Sequence, residues 1–318
     1  MPVLFLVIAC ALWGLSFPVL KALMTEQGGR VTEASTTFLA AWIQFARFLF
    51  GAVLMIPFVA RLGPPTRLEI RQGLTLALWG GLGMGIQADG LFYTEASTSA
   101  FLTQAYCVIL PLWACLHTRR WPTKRIVSAT LLVMIGGAIL SGIRPGSVGA
   151  GRGEIETVVA AFFFALQILT LENPRFAETR GRPVTIIMCL GIAALYLPVA
   201  LVLAPTPAAM ITTGASGQAL VLVATLSLFC TVGAFLLINT WQRKVSATEA
   251  GLIYTSEPVF AAAYALFLPA ILAGFIGHPY PNETLTAQML VGGGLILLAN
   301  AVMQWKVKPH RPGIAPAP

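Results

Sequence analysis

Charged residues are scarce in this sequence. Only 10% of its 318 residues are Asp, Glu, Lys or Arg, whereas 57% are hydrophobic. Soluble domains are about a quarter charged, so this chain has too few charges to cover a water-soluble globule of its length. A mean hydropathy of +0.81 points the same way. The shortage of charge excludes a soluble enzyme, a disordered protein and a secreted disulfide scaffold, and a multi-span membrane protein remains.

The motifs of enzymes and metal sites are missing as well. The five cysteines form no C-x-x-C pair and no Cys/His cluster with metal spacing. No H-E-x-x-H, G-x-S-x-G or phosphate-binding glycine motif occurs. We therefore predict no catalytic residue, no metal and no cofactor. An intramembrane enzyme and an ion channel are the alternatives from other classes, and the sequence disfavours both.

Ten apolar runs are long enough, or nearly so, to cross a bilayer, which takes about 20 mostly apolar residues in a helix. Charged, Gly-rich or Pro-rich stretches separate them. We number these runs as the first to tenth predicted spans. They are residues 3–24, 38–60, 73–95, 98–117, 126–143, 155–173, 184–204, 217–240, 247–272 and 285–305.

Lys and Arg are concentrated on one side of these spans. If the N-terminus is cytoplasmic, fifteen of the twenty lie in cytoplasmic segments. Cytoplasmic loops carry an excess of such residues, so we expect both termini in the cytoplasm. The net charge of +8 then records topology and does not indicate a nucleic-acid partner. The basic, Pro-rich tail 306–318 is expected to be disordered.

An internal repeat divides the chain. SAFLTQAYCVILP (99–111) resembles SATEAGLIYTSEP (246–258), and MIGGAIL (134–140) resembles VGGGLIL (291–297). This predicts two five-helix repeats, 1–148 and 149–305. Because five is odd, the second repeat would enter the bilayer from the opposite side. The predicted fold is an all-α membrane protein of ten transmembrane helices in two inverted-topology repeats, an arrangement recurrent in secondary transporters.

Several motifs together resemble one known family. They are A-L-W-G-x-S-F (11–17), Arg47-Phe48, Tyr93-Thr94, AFLTQAYCVILP, GLIYTSEPVF and NETLTAQMLVGGGLILL from Asn282. In order and spacing the chain resembles EamA-type transporters of the drug/metabolite transporter superfamily. The resemblance implies secondary transport of small metabolites across the plasma membrane, the inner membrane of a bacterium, often export of amino acids or drugs. We predict an exporter of amino acids or similar small amphipathic metabolites that works by alternating access. A carrier of sugar phosphates, nucleotide sugars or drugs is the alternative.

Three charged residues are predicted to lie within the membrane core, away from the ends of their spans. Arg47 and Glu257 lie about 14 and 15 Å from the nearer ends of their helices, near the bilayer midplane. Asp89 lies in the outer third of its span. Pairing of Arg47 with Asp89 or Glu257 would remove most of the desolvation penalty, and such a pair could also serve only to fix helix packing. A desolvated carboxylate binds protons more readily, so proton coupling is a further possibility.

Neutral polar and aromatic residues accompany these charges. They could bind the amino, carboxyl and apolar groups of a small-molecule substrate, the partner expected besides the lipid bilayer. Pro111 and Pro258 lie at matching places in the two repeats and are candidate hinges, because proline kinks a helix. The candidate substrate-binding or coupling residues are Arg47, Asp89, Glu257, Gln87, Gln104, Tyr93, Tyr106, Tyr254 and Trp13.

Overall fold

A computed structural model describes residues 1–94, 96–140 and 151–304. Within them the chain is helical and has no strand. The predicted tail 306–318 and the predicted repeat boundary at 148 and 149 lie outside these residues. Before residue 141 the helices are α1 (Pro2–Arg30), α2 (Thr36–Val59), α3 (Arg67–Gly90), α4 (Ala96–Thr103), α5 (Tyr106–Thr118) and α6 (Lys124–Leu140). After residue 151 they are α7 (Arg152–Glu172), α8 (Gly181–Leu203), α9 (Ala209–Thr212), α10 (Gly217–Thr225), α11 (Ala234–Trp241), α12 (Ala247–Tyr254), α13 (Glu257–Ala265), α14 (Leu268–Ile276) and α15 (Ala287–Gln304).

Five helical segments are long and apolar enough to cross a membrane by themselves: Pro2–Arg30, Thr36–Leu62, Arg152–Glu172, Gly181–Leu203 and Gly217–Lys244. A sixth crossing results if α12–α13 and α14 form one span, although they are bent by 61° relative to each other. The chain is therefore a helical multi-span protein. Ten spans stay a prediction, because α3 is diluted by glycine, the predicted fourth span is interrupted, and α6 has only 17 residues.

Three predicted spans are not continuous α-helices. The run 98–117 divides into α4 and α5 at Gln104-Ala105, and the run 247–272 divides into α12, α13 and α14. Between α10 and α11 the residues Leu226–Gly233 are π-helical. π-Helical turns widen a helix and leave carbonyl groups available to other donors, and they are frequent at functional sites. Here the π-helical segment contacts α2.

The most extensive helix contacts join elements before residue 141 to elements after residue 151. α2 packs on α8, α6 on α15, and α3 on both α7 and α8. α1 packs on α13, α11, α10 and the π-helical segment, and α4 packs on α7. Two buried apolar clusters result, one that includes Leu6, Phe48 and Phe235 and one that includes Leu23 and Phe38. The two parts of the chain thus form one interleaved bundle.

Glycine permits the closest of these contacts. A Cβ atom added to Gly83 of α3 would lie 2.7 Å from the ring of Phe164 on α7. A Cβ on Gly14 of α1 would lie 2.9 Å from the backbone nitrogen of Ala261 on α13. Real Cβ atoms do not approach other atoms so closely, so only glycine lets these helices meet at this distance. The contact at Gly14 brings the start of α13 against α1, next to Trp13.

Candidate functional site

A central cavity lies where the two apolar clusters meet. It contains about 860 Å³ of empty space, counting its opening, and is lined by residues of α1, α2, α3, α4, α5, α7, α11, α12 and α13. Small-molecule sites are mostly apolar with a few polar groups, and the wall of this cavity has that composition. Six of the predicted site residues line it: Trp13, Arg47, Gln87, Tyr106, Tyr254 and Glu257.

Arg47 contributes the cavity's cation. Its side chain is 5% exposed. The Nε group donates to Thr231 Oγ1 at 2.6 Å, and Nη2 donates to the carbonyl oxygen of Cys230 at 3.1 Å. Ser227 Oγ in turn donates to the carbonyl oxygen of Arg47 at 2.8 Å. All three partners belong to the π-helical segment, which therefore holds the guanidinium in place from one side.

The expected pairing of Arg47 with Asp89 or Glu257 is wrong for this structure. Among the described residues Arg47 forms no ion pair, and Asp89 pairs with Arg152 instead. Hydrogen bonds to a hydroxyl and a carbonyl satisfy part of the guanidinium without neutralising its charge. Arg47 therefore keeps a positive charge at the cavity wall, where an anionic group can use its remaining N–H donors.

Glu257 contributes the cavity's anion. It is the first residue of α13, directly after the break that follows α12. Its side chain is partly accessible, and it makes no hydrogen bond or ion pair with the described residues. Arg47 and Glu257 are the charged residues among the described side chains that line the cavity. One positive and one negative group thus face the same space without contacting each other.

Neutral polar groups complete the cavity wall. Gln87 Nε2 donates to Thr103 Oγ1 at 2.6 Å. Tyr254 Oη donates to Gln242 Oε1 at 2.7 Å. The Tyr106 hydroxyl and the Gln44 Oε1 atom are buried and have no hydrogen-bond partner among the described residues. An unsatisfied buried polar group costs about 1–3 kcal/mol, so these two groups favour a polar ligand or water in the cavity.

Aromatic rings form the apolar part of the wall. The Trp13 ring meets the rings of Phe235 and Tyr254 edge to face, with both pairs of centroids 5.5 Å apart. Phe17 and Phe164 also line the cavity. Phe164, Phe235 and Gln242 were not predicted as site residues, because nothing in their local sequence separates them from ordinary packing residues. The rings give the cavity a surface suited to an apolar side chain.

Three predicted site residues lie outside the central cavity. Asp89 is 7% exposed and pairs with Arg152, the first residue of α7. Tyr93 is 45% exposed, accepts from Arg152 Nη1 at 2.9 Å, and lies with its ring 4.3 Å from that guanidinium. Its hydroxyl also contacts Thr36 Oγ1 at 2.8 Å. Gln104 is buried, and its Nε2 donates to the carbonyl oxygen of Ala100 at 3.3 Å.

The two candidate hinges occupy different positions in their helices. Pro111 is buried in the interior of α5, away from the break at Gln104-Ala105. Pro258 is the second residue of α13, where its missing N–H group leaves no hydrogen bond unmade. It lines a smaller pocket together with Phe17. Their role as hinges stays a prediction.

In the part of the chain that the structure describes, no group of three or more His, Cys, Asp or Glu side chains could hold a metal ion. The five cysteines are free thiols. Cys10, Cys107, Cys189 and Cys230 are buried and Cys115 is partly exposed. The Cys107 thiol donates to the carbonyl oxygen of Gly251 at 3.4 Å, which ties α5 to α12.

Known proteins share both the sequence pattern and the fold. Residues 1–142 match the EamA-like transporter family. The chain is 26% identical over 305 residues to an uncharacterised transporter of Archaeoglobus fulgidus, an alignment that covers 95% of this chain and 85% of that protein. A protein of known crystal structure aligns with a TM-score of 0.66 and 18% identity, over 95% of this chain and 96% of its own; this likeness concerns the fold alone. The resemblance to EamA-type transporters is thereby confirmed.

Proposed function

We propose that this chain, whose residues 1–142 belong to the EamA-like transporter family, exports amino acids or similar small amphipathic metabolites by alternating access. The family is one of integral membrane transporters and not of enzymes. The observation that carries the proposal is the central cavity, in which Arg47 and Glu257 present opposite charges among aromatic and amide side chains.

A zwitterion fits this set of groups. Its carboxylate can accept from the free N–H groups of Arg47, and its ammonium can donate to Glu257. The unpartnered hydroxyl of Tyr106 and Oε1 of Gln44 offer a further donor and acceptor. The rings of Trp13 and its neighbours can cover an apolar side chain. Because the described lining includes a single cation, the cavity suits a monocarboxylate better than the dianionic phosphate of a sugar phosphate.

The helix contacts support two inverted repeats. If the first five predicted spans correspond in order to the last five, α2 packs on its own counterpart α8, and α6 on its counterpart α15. The contact of α1 with α11 corresponds to that of α3 with α7, and the contact of α1 with α13 to that of α7 with α5; all four occur. Such a two-fold relation is the architecture in which two repeats alternately open a central site to either side of the membrane. In the proposed orientation both termini are cytoplasmic.

Transport in proteoliposomes tests the substrate class. The purified protein is reconstituted, loaded with a panel of amino acids, sugar phosphates and cationic drugs, and release is measured. We expect flux of amino acids with apolar side chains, and at least a tenfold loss on Arg47→Gln, because the substrate carboxylate loses a charged hydrogen bond. Phosphate esters as the best substrates, or no flux of any solute under any gradient, would contradict the proposal.

Glu257 is the proposed proton-handling group, since a carboxylate that alternates between substrate and proton can couple their movements. We expect Glu257→Gln to abolish the pH dependence of amino-acid flux. Glu172→Gln, which removes an exposed carboxylate from the end of α7, serves as the matched control. If Glu257→Gln leaves both the rate and its pH dependence unchanged, the proton-handling role has to be dropped while the transporter proposal stands.

A further inference from the structure

A second, wider depression lies beside the central cavity. It contains about 1160 Å³ of empty space, counting the open solvent, at the end of the bundle where α1 and α3 end and α7 begins. Its wall includes Lys21, Met24, Tyr93, Thr94 and Glu154. We call it the Lys21 vestibule. In the proposed orientation it opens on the outer side of the membrane.

The vestibule and the central cavity share a wall residue. Leu91, which caps α3 and is 5% exposed, lines both spaces. On α1, Phe17 and Leu20 face the cavity and Lys21 faces the vestibule, so the step from Phe17 to Lys21 is about 6 Å along the helix. The two spaces are therefore adjacent, with Leu91 in the wall of both.

Lys21 is a cation at the outer end of the first predicted span, 3–24, and nine residues before the end of α1. Among the described residues its ammonium makes no hydrogen bond and no ion pair. A lysine at the edge of the apolar core is favourable where its charge faces water or an anion. The other long-chain cations at this end, Arg30 and Arg152, both pair with carboxylates.

The opposite wall carries the complementary charge. Glu154 accepts from Thr94 Oγ1 at 2.6 Å and forms no ion pair with Lys21. Tyr93 beside it is held by Thr36 and Arg152, so this wall is fixed. A positive and a negative group thus flank the vestibule without neutralising each other, as Arg47 and Glu257 do in the cavity below.

We propose that the Lys21 vestibule is a second binding station for small zwitterions on the transport route, in which Lys21 holds the carboxylate and Glu154 lies toward the ammonium. This inference rests on the proposed function. It makes Lys21 a residue that sets the apparent affinity on the vestibule side of the membrane, while Arg47 and Glu257 bind the same substrate class at the midplane.

Side-specific kinetics test the proposal. Counterflow of a transported amino acid is measured in proteoliposomes of known orientation, with substrate varied on the vestibule side and then on the opposite side. For Lys21→Gln we expect KM on the vestibule side to rise about tenfold, since a charged partner is lost, while KM on the other side and the maximal rate change less than twofold. Lys21→Arg should restore the affinity. Arg30→Gln removes a cation from the same end of the bundle but not from the vestibule, and should leave KM unchanged.

The outcomes separate the two proposals. If the wild type transports amino acids and Lys21→Gln leaves the vestibule-side KM unchanged, or changes it no more than Arg30→Gln does, the vestibule proposal is overturned and the proposed function stands. If no amino acid is transported, equilibrium binding of amino acids to the wild type and to Lys21→Gln in nanodiscs decides. If Lys21→Gln weakens amino-acid binding, the vestibule binds amino acids although the proposed transport function is wrong. If Lys21→Gln does not weaken binding, the vestibule proposal is overturned.

Discussion

Glu69 lies in the best-defined ionic contact of the protein, at the end of the bundle where α3 and α8 begin. Its Oε1 accepts from Arg180 Nε at 2.7 Å and from the Arg180 backbone N–H at 3.0 Å, and its Oε2 accepts from Arg180 Nη2 at 2.9 Å. Oε2 also accepts from the backbone N–H of Thr66 at 2.8 Å, which closes a capping box at the start of α3. Arg180 further donates to the carbonyl oxygen of Leu62 at 2.6 Å. The contact therefore ties the α2–α3 connection to α8.

The electrostatic gain can be worked from this geometry. The Arg180 guanidinium holds the pKa of Glu69, which lies before the predicted span 73–95, at about 2 instead of 4.5. At 1.36 kcal/mol per pKa unit this corresponds to about 3 kcal/mol. Because the Arg180 side chain is 40% exposed, solvent screens part of this, and we expect about 2 kcal/mol to be lost on Glu69→Gln. Glutamine can still serve in the capping box, so the loss reports the ionic contact.

Thermal unfolding of the purified protein measures this loss. A thiol-reactive fluorophore is a suitable reporter, because four of the five cysteines are buried. At pH 7 we expect Glu69→Gln to melt about 4 °C below the wild type. Glu249→Gln is the matched control, since Glu249 holds the same capping-box position in α12 and has no ion pair among the described residues. It should change the melting temperature by less than 1 °C.

The pH dependence gives a second, independent check. The pKa of Glu69 is lower in the folded protein, so its contribution is fully present above pH 4.5. Below pH 4.5 the unfolded chain takes up the proton first, and the contribution disappears as the pH falls to about 2. The gap between wild type and Glu69→Gln should close over that interval. A gap that is absent at pH 7, or that persists unchanged at pH 2.5, would refute the reasoning.

Three further predictions follow from other contacts. Gly83→Ala should cost about 1–3 kcal/mol of unfolding free energy by forcing α3 from the Phe164 ring, whereas Gly28→Ala, whose Cβ meets open space, should not destabilise. Arg152→Gln leaves the carboxylate of Asp89 without its partner, so the double variant with Asp89→Asn should melt at a higher temperature than Arg152→Gln alone. Brief maleimide treatment of the folded protein should modify Cys115, and mass spectrometry should find Cys10, Cys107, Cys189 and Cys230 modified only after unfolding; equal labelling of all five would contradict the packing.

Much of the architecture could be predicted because it depends on local sequence. Apolar runs and charge distribution indicate a helical membrane protein, and both are properties of neighbouring residues. The central cavity was partly predictable for a related reason: polar groups such as Arg47 and Glu257 stand out in an apolar run, and lipid exposure of either would be costly. Tyr254 lies three residues before Glu257, and Tyr106 lies in the matching segment of the other repeat.

The partners of these residues could not be predicted. Arg47 donates to Thr231, which is 184 residues away in the sequence. Thr231 belongs to the π-helical segment, and no residue pattern in the sequence predicts a π-helix there. Asp89 binds Arg152, which as the first residue of α7 reads like an ordinary surface cation. The break at Gln104-Ala105 contains no glycine or proline, whereas the break after Tyr254 precedes Pro258, which has no N–H group to bond the Tyr254 carbonyl. Contacts between helices that are far apart in the sequence are set by tertiary packing. The sequence of one helix therefore does not predict which other helix packs against it.

The interleaved packing has a consequence for how the chain is made. α2 and α3 find their main contacts on α7 and α8, and about 90 residues separate the end of α3 from the start of α8. At a synthesis rate of about 5–20 residues per second, α8 is completed about 5–20 s after α3. During that interval the surface of α3 that packs on α8 has no partner in the membrane. The first half of the bundle cannot complete its assembly alone during that time. Co-translational quality control would therefore encounter α3 as an incompletely packed helix in every molecule, and truncation after residue 140 should leave a fragment that is degraded rather than one that persists as a half-transporter.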